Sequence, residues 1–327
     1  MLWRRVLGTV IAIAVVWAVD WLGSRFLNAY IYRVLVLCSI NVILALSLNL
    51  VNGITGQFSI GHAGFMAVGA YASAAYTVYA VPVWFGPAAQ SGTPSAGAFL
   101  IAILVGGLVS AVAGFLVGLP SMRLRGDYLA IVTLGFGEII RVAILNIDAV
   151  GGARGFAGVP TRTNLAWVLG GAWLTYAVIR NLMRSYHGRA LLAIREDEIA
   201  AEALGVPTTR YKVVAFVIGA FFAGVAGALF SHYTYLHTNS FTFMKSIEVV
   251  IMVVLGGMGS LTGSILGATL LTTLPELLRF ASSERLIIYS LLLIVLMIAR
   301  PQGILGRREL TIPFRRPRSE SRPTLAS

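Results

Sequence analysis

The chain has 327 residues, of which 57% are hydrophobic and only 12% are charged, whereas a soluble domain carries about 45–50% apolar and about 25% charged residues. This composition excludes an ordinary soluble protein, and apolar runs of about 20 residues, the length that crosses about 30 Å of hydrocarbon, indicate a polytopic membrane protein. In such a protein the net charge of +12 is better explained by basic cytoplasmic loops than by nucleic-acid binding.

Ten apolar windows have the length of membrane spans. We place them at residues 6–22, 33–51, 58–80, 97–119, 128–147, 165–183, 213–235, 245–257, 261–279 and 285–300. With short loops they use the chain up to residue 306, so the sequence predicts one all-α membrane domain with about ten (eight to ten) transmembrane helices. The segment 307–327 is rich in arginine and proline and is predicted to be a disordered cytoplasmic tail.

The distribution of basic residues indicates that both termini lie in the cytoplasm. In this orientation 16 of the 25 lysine and arginine residues fall in cytoplasmic segments and 7 in exterior ones, in agreement with the positive-inside rule. The orientation requires 245–279 to form two passes with a turn at the glycine-rich residues 256–260. Glycine-interrupted segments near residues 61 and 259 are also typical of transporters built from structural repeats.

The segment 49–65 is predicted to leave one span, turn in the cytoplasm and enter the next. Its polar side chains make it a candidate translocation pathway, in which amide groups at a helix N-terminus would face a substrate carboxylate. The candidate pathway residues in this segment are Asn49, Asn52, Gln57, Ser59 and His62. The alternative is structural: the glycines serve close helix packing, and the histidine bonds a carbonyl across a helix interface.

Two spans carry small residues at every fourth position. These are Gly106, Ser110, Gly114 and Gly118 in one span, and Gly219, Ala223, Gly227 and Ser231 in another. Such stripes let helix backbones approach closely in lipid, where no hydrophobic effect drives helices together. The sequence therefore predicts a tightly packed bundle.

Two ionisable residues, Glu138 and Arg141, fall inside the predicted span 128–147. Each charged group at the centre of a spanning helix costs about 2.5–3.5 kcal/mol on insertion scales. A spacing of three residues makes the two side chains neighbours on a helix, so we expect them to pair. The pair either lies beside the translocation pathway or fastens this helix to a neighbour, and both interpretations stay open.

The cytoplasmic loop 184–212 is predicted to contain a short helix that lies outside the membrane. Its apolar residues follow helical spacing, and Gly205 followed by Pro207 ends the helix. The loop also carries Glu196, Asp197, Glu198 and Glu202. Helices that rest on lipid headgroups are usually basic on their polar face, so this acidic helix is better suited to bind a protein partner.

Three blocks of the sequence, 46–65, 124–138 and 188–205, resemble permeases of ATP-binding-cassette importers for branched-chain amino acids, of the LivM type. The resemblance covers roughly residues 40–305 and implies the inner membrane of a bacterium. It also implies a second permease subunit, which is of the LivH type or a copy of this chain, two cytoplasmic ATPases and a periplasmic solute-binding protein. The loop 184–212 would then supply the coupling helix that docks on an ATPase.

The resemblance assigns the coupling role to seven residues: Arg195, Glu196, Asp197, Glu198, Ala200, Ala201 and Gly205. Many importer permeases have Glu-Ala-Ala, three further residues and Gly at this place. Here both alanines and the glycine match, but Ile199 stands where the glutamate would be, and Glu198 lies one position earlier. A role that depends on that one glutamate is therefore not carried over.

The chain lacks the Gly-x4-Gly-Lys-Ser/Thr motif that cradles nucleotide phosphates. We therefore expect no catalytic residue, metal or cofactor in this chain, with ATP and Mg²⁺ bound by partner subunits. The expected function is the translocation subunit of an ATP-driven importer for hydrophobic amino acids. The main alternative is an ion-coupled secondary transporter of amino acids or amides, which would retain acidic residues in the membrane; a membrane enzyme or a channel fits the motifs less well.

Overall fold

The structure is a computed structural model that describes residues 27–85, 96–124, 126–280 and 302–306 and isolated positions at 20, 25, 288, 290, 291, 294, 295 and 298–300. Most of the predicted first span 6–22, most of the last span 285–300 and the tail 307–327 lie outside the described residues. The described part is helical and contains no strand; an isolated bridge pairs Phe156 with Leu236.

The helices follow the predicted apolar windows in order. They are α1 (Ala29–Asn49), α2 (His62–Ala75), α3 (Val81–Phe85), α4 (Ala96–Ser121), α5 (Asp127–Leu145), α6 (Leu165–Arg184), α7 (Tyr186–Glu196), α8 (Glu198–Ala203), α9 (Thr208–Ser231), α10 (Phe243–Gly256) and α11 (Leu261–Leu277). Two π-helical turns, Leu50–Ile54 and Tyr76–Ala80, follow α1 and α2. For the windows from 33–51 to 261–279, the ends of the helices differ from the predicted ends by at most five residues.

Five helical segments among the described residues are long and apolar enough to cross a membrane. They are Ala29–Ile54, His62–Trp84, Ala96–Ser121, Asp127–Leu145 and Thr208–Ser231. Helices α10 and α11 have 14 and 17 residues, which at about 1.5 Å per residue is shorter than about 30 Å of hydrocarbon. The protein is therefore a multi-pass helical membrane protein, and the total of about ten spans stays a prediction.

Helices α10 and α11 are joined by a tight turn at the predicted position. Gly257 and Gly259 adopt φ angles of +117° and +89°, which residues with a Cβ rarely adopt. A Cβ atom on Gly263 would overlap the carbonyl oxygen of Gly256, so the two helices are in backbone contact beside the turn. The predicted turn at 256–260 is confirmed.

The centre of the bundle is formed by α2, α4 and α9, which touch through small residues. A Cβ atom on Gly106 of α4 would lie 2.7 Å from the carbonyl oxygen of Gly69 in α2, and one on Gly227 of α9 would overlap that of Met66. The hydroxyl of Ser110 lies 3.0 Å from the carbonyl oxygen of Phe65 and 2.7 Å from that of Ala220, so it links α4 to both other helices. The predicted close packing through small residues is confirmed.

Long-range contacts define two ends of the bundle. At one end, which we call the loop end, the residues 50–61, the loop 185–207 and the turn 257–260 meet. At the opposite end the residues 146–164 contact 232–242, for example through the hydrogen bond from the Phe156 amide to the Leu236 carbonyl, 2.9 Å. The three segments at the loop end are those that the sequence predicts to share the cytoplasmic side.

We expect Gly227→Ala to destabilise the protein by about 1–3 kcal/mol, because the added methyl group must displace the Met66 backbone from a packed helix contact. Thermal unfolding of the purified protein in detergent measures the change. The matched control is Gly170→Ala in α6, where a Cβ atom has no neighbour within 4 Å. Equal unfolding temperatures for the two variants would contradict the packing of α2 against α9.

Candidate functional site

The break between α1 and α2 is buried although its backbone is not α-helical. After Asn49 the chain makes the π-helical turn Leu50–Ile54, and residues 56–61 then run without regular secondary structure to the start of α2. The Thr55 hydroxyl donates to the Leu50 carbonyl, 2.7 Å, and the backbone N–H of Gln57 donates to the Val51 carbonyl, 3.1 Å. These bonds satisfy backbone groups that the end of a helix would otherwise leave unpaired.

Asn52 holds the irregular stretch 56–61 in place. Its side-chain nitrogen donates to the Ser59 carbonyl and its side-chain oxygen accepts from the Ser59 amide, both at 3.1 Å. The structure thus brings together two predicted pathway residues, Asn52 and Ser59. The contact is made by the backbone of the serine, so the Asn52 amide serves the local fold.

Asn49 joins the break to the turn between α10 and α11. Its side chain donates to the Ser260 carbonyl at 3.1 Å and accepts from the Gly259 amide at 2.8 Å. A Cβ atom on Gly53 would overlap the nitrogen of Gly259, so the two backbones touch. The break and the turn 257–260 are therefore in direct contact at the loop end.

His62, the first residue of α2, is buried with 3% of its surface exposed. Its Nε2 atom lies 2.7 Å from the hydroxyl of Ser47 in α1, and this hydroxyl also donates to the Leu44 carbonyl at 2.9 Å. The histidine therefore bonds across a helix interface, as the structural alternative expects. Its partner is a hydroxyl group, however, and the expected carbonyl partner is wrong.

Gln57 and Ser59 are the predicted pathway residues whose side chains remain available. Their exposed fractions are 5% and 1%, and the Gln57 Nε2 and Oε1 atoms and the Ser59 Oγ atom have no hydrogen-bond partner among the described residues. A buried polar group without a partner costs about 1–3 kcal/mol. The two side chains can therefore gain free energy by binding a polar group that enters this region.

Helix α5 packs against the same irregular stretch and the start of α2. The Ile60 amide donates to the Thr133 hydroxyl at 3.2 Å, and a Cβ atom on Gly64 would lie 2.8 Å from the Cα of Gly137. Glu138, the next residue, accepts from the Arg141 Nε atom at 2.7 Å, which confirms the expected pair. The two side chains are 36% and 25% exposed, so the pair lies at the edge of the bundle.

The loop 184–212 contains two short helices, α7 and α8, where the sequence predicts one. The break lies at Asp197, whose side chain accepts from the Ile199 amide at 2.9 Å and from the Ala200 amide at 3.0 Å. An aspartate that caps the N-terminus of one helix in this way cannot continue the preceding helix. Gly205, with φ of +82°, ends α8 as predicted.

Two apolar side chains of α8 and its C-terminus face outward. Ile199 is 68% exposed and Leu204 is 85% exposed, whereas Ala201 is only 3% exposed and faces the bundle. The sequence assigned Ala201 to the docking face and did not single out Leu204. Hydrophobicity alone could have suggested Leu204, but burial of the alanine depends on how α8 lies on α9.

Glu198 pairs with Lys212 of α9 across 2.5 Å, with side chains 25% and 5% exposed. The sequence assigned Glu198 to the contact with an ATPase, but its carboxylate is engaged within the chain. The lysine was not predicted as a functional residue. This ion pair fastens α8 to the start of a spanning helix.

Arg195 connects the loop to the break between α1 and α2 and to the turn 257–260. Its Nη1 atom donates to the Gly53 carbonyl at 3.3 Å, and its Nη2 atom donates to Glu196 at 2.7 Å. Cβ atoms on Gly56 and Gly259 would each lie 2.9 Å from atoms of the arginine side chain. The stem of the arginine side chain therefore packs on Gly56 and its guanidinium group on Gly259, and a Cβ atom at either glycine would crowd it.

Comparison with known proteins shows that the chain resembles a family of transport proteins. Residues 30–300 match the family described as branched-chain amino acid transport system / permease component. The chain is 39% identical over 303 residues to the high-affinity branched-chain amino acid transport system permease protein LivM of Salmonella typhimurium, which covers 81% of this chain and 68% of that protein.

Two further relatives extend the comparison. A probable LivM permease of Methanocaldococcus jannaschii is 25% identical over 319 residues, covering 83% of this chain and 92% of the relative. The LivH permease of Salmonella typhimurium is 33% identical over 165 residues, covering 49% of this chain and 53% of LivH. No solved structure matches the chain.

We expect Asn49→Leu to destabilise the loop end by about 1–3 kcal/mol for each backbone group that loses its partner, the Gly259 amide and the Ser260 carbonyl. Hydrogen exchange at residues 257–260, followed by mass spectrometry, should show faster exchange in the variant. Asn181→Leu, at an exposed position of α6, is the control. Unchanged exchange in Asn49→Leu would show that the asparagine does not hold the turn.

Proposed function

The chain belongs to the family of branched-chain amino acid transport system permease components, and from this premise we propose that it is the translocation subunit of an ATP-driven, binding-protein-dependent importer for branched-chain amino acids. A second permease subunit, two cytoplasmic ATPase subunits and a solute-binding protein complete the proposed transporter in a bacterial inner membrane. The observation that carries the proposal is the contact of Arg195 with the break between α1 and α2 and with the turn 257–260.

Energy must reach the membrane domain through the loop, since the sequence contains no nucleotide-binding motif of its own. Ile199 and Leu204 form an exposed apolar face, and the same loop carries the acidic residues Glu196, Asp197 and Glu202. An apolar centre with a polar rim is typical of a protein interface. We propose that an ATPase subunit binds this face.

Movement of the docked loop would be transmitted by two contacts. The Glu198–Lys212 ion pair connects α8 to α9, and the Arg195–Gly53 hydrogen bond connects α7 to the break between α1 and α2. Helices α6 and α9 flank the loop directly. In a hinge or shear mechanism, the loop and these helices would move as one body and change which side of the bundle is open.

The break between α1 and α2 is the proposed substrate pathway. A branched-chain amino acid carries a carboxylate, an ammonium group and an apolar side chain. The side-chain amide of Gln57 can donate to the carboxylate and accept from the ammonium group. The N-terminus of α2 favours a negative charge beside it. Gly61 and Gly64 bring the start of α2 into close backbone contact with α5 beside this break.

The exposed face of α5 is the proposed contact with the second permease subunit. Only 22% of the residues in its apolar window are buried within this chain, compared with 83% for the first described span. The Glu138–Arg141 pair lies on this helix, and exposing such charges to lipid costs about 2.5–3.5 kcal/mol each on insertion scales. A protein partner at this face would remove that cost.

The docking proposal is tested by capturing ATPase subunits with the detergent-purified permease. We expect Leu204→Asp to reduce the captured ATPase at least tenfold, because a charge would replace the most exposed apolar side chain of the face. Met244→Asp, which changes a 71% exposed residue near the opposite end, should have no effect. If the wild type captures no ATPase, or Leu204→Asp binds as well as the wild type, ATP coupling through this loop fails and an ion-coupled carrier becomes the alternative.

The pathway proposal is tested by leucine uptake into cells that contain the whole transporter. We expect Gln57→Leu to raise the KM for uptake by roughly tenfold or more, since a hydrogen bond to a charged group contributes about 1.5–3 kcal/mol. The amount of captured ATPase should not change. Asn181→Leu again serves as the control, and an unaltered KM in Gln57→Leu would exclude contact between this side chain and the substrate.

A further inference from the structure

A cavity of about 330 Å³ opens at the loop end, between α6, α7 and the two glycine turns. Three arginines line it, Arg180, Arg184 and Arg195, and its walls include the apolar side chains of Ile54, Met183 and Leu192. None of the residues that line this cavity is acidic. Its volume lies at the lower end of the about 300–1,000 Å³ that is typical of small-molecule sites.

The arginines of α6 bring positive charge that is not neutralised locally. Among the described residues, Arg184 makes no ion pair, and Arg180 stacks on the ring of Tyr176 at 5.7 Å. Basic residues near a helix C-terminus also interact favourably with the helix dipole. The helix dipole does not explain why Arg180 and Arg184, four residues apart on α6, line the same cavity as Arg195 of α7.

We propose that this cavity binds the phosphate headgroup of an anionic phospholipid. Guanidinium groups bind phosphate through paired, charge-assisted hydrogen bonds, and basic pockets between helices at the cytoplasmic surface of membrane proteins are suited to acidic headgroups. The apolar walls favour a lipid over a free phosphate ion, because Met183, Leu192 and Ile54 can contact the glycerol and the start of the acyl chains.

The bound lipid would act on the transport machinery through Arg195. This arginine lines the cavity and also holds the Gly53 carbonyl and the Glu196 carboxylate. A phosphate group would compete with Glu196 for the guanidinium group of Arg195. It would also hold this guanidinium group in place against Gly53 and Gly259. The inference goes beyond the proposed function, because headgroup binding can be measured on this chain without an ATPase or a substrate.

The test compares two water-soluble lipids, dihexanoyl phosphatidylglycerol and dihexanoyl phosphatidylcholine, with the full chain in a neutral detergent. Native mass spectrometry measures the bound lipid. We expect the wild type to bind phosphatidylglycerol at least tenfold more tightly than phosphatidylcholine. The single variants Arg180→Gln and Arg184→Gln should each weaken phosphatidylglycerol binding about fivefold, whereas Arg189→Gln, which removes an exposed charge of α7 outside the cavity, should leave it within twofold.

Each other result overturns the proposal. Equal binding of the two lipids, or equal losses in Arg184→Gln and Arg189→Gln, would show that the cavity does not recognise the headgroup. Displacement by inorganic phosphate at the same concentration as the lipid would identify a free anion as the ligand. Arg184 is exposed, so Arg184→Gln should remain folded, and a monodisperse peak in size-exclusion chromatography confirms this before binding is measured.

Discussion

A buried backbone segment can leave the helical conformation only where other protein groups bond its amide and carbonyl groups, because an unpaired buried group costs free energy. The break after Asn49 obeys this constraint. Asn52 bonds both backbone groups of Ser59, Thr55 bonds the carbonyl of Leu50, and Asn49 bonds the next broken segment at 259–260. The remaining features of the loop end depend on how this break is stabilised.

Small residues allow the break to be buried. Glycine contacts between α2, α4 and α9 bring these helices together closely enough that the hydroxyl of Ser110 reaches carbonyls on both neighbours. In lipid such contacts gain van der Waals and hydrogen-bond energy, and no hydrophobic effect compensates for a poor fit. This core supports the break, which is bonded to Val51 through the backbone amide of Gln57 and to Thr133 of α5 through the amide of Ile60.

The loop end combines rigid and adjustable contacts. The buried Glu198–Lys212 pair is short and shielded from solvent on the lysine side, so removal of either partner would leave a poorly hydrated charge. The Arg195 contact is different: its guanidinium group bonds a carbonyl of one turn, lies against the glycine of the other and pairs with the exposed Glu196. An arginine that contacts the break, the turn 257–260 and its own loop is well placed to relay a displacement of the loop.

The sequence by itself determined the class of protein, the ends of the described helices in the windows from 33–51 to 261–279 to within five residues, the turn at 256–260 and the Glu138–Arg141 pair. These features are local: hydropathy measures the transfer of a contiguous segment into lipid, and a spacing of three residues sets a contact within one helix. The tertiary structure alone decided that Ala201 is buried while Leu204 is exposed, that His62 bonds Ser47, and that Arg195 reaches Gly53, 142 residues away. Apolar faces that contact lipid and apolar faces that contact protein have the same composition, so only the packed helices distinguish them.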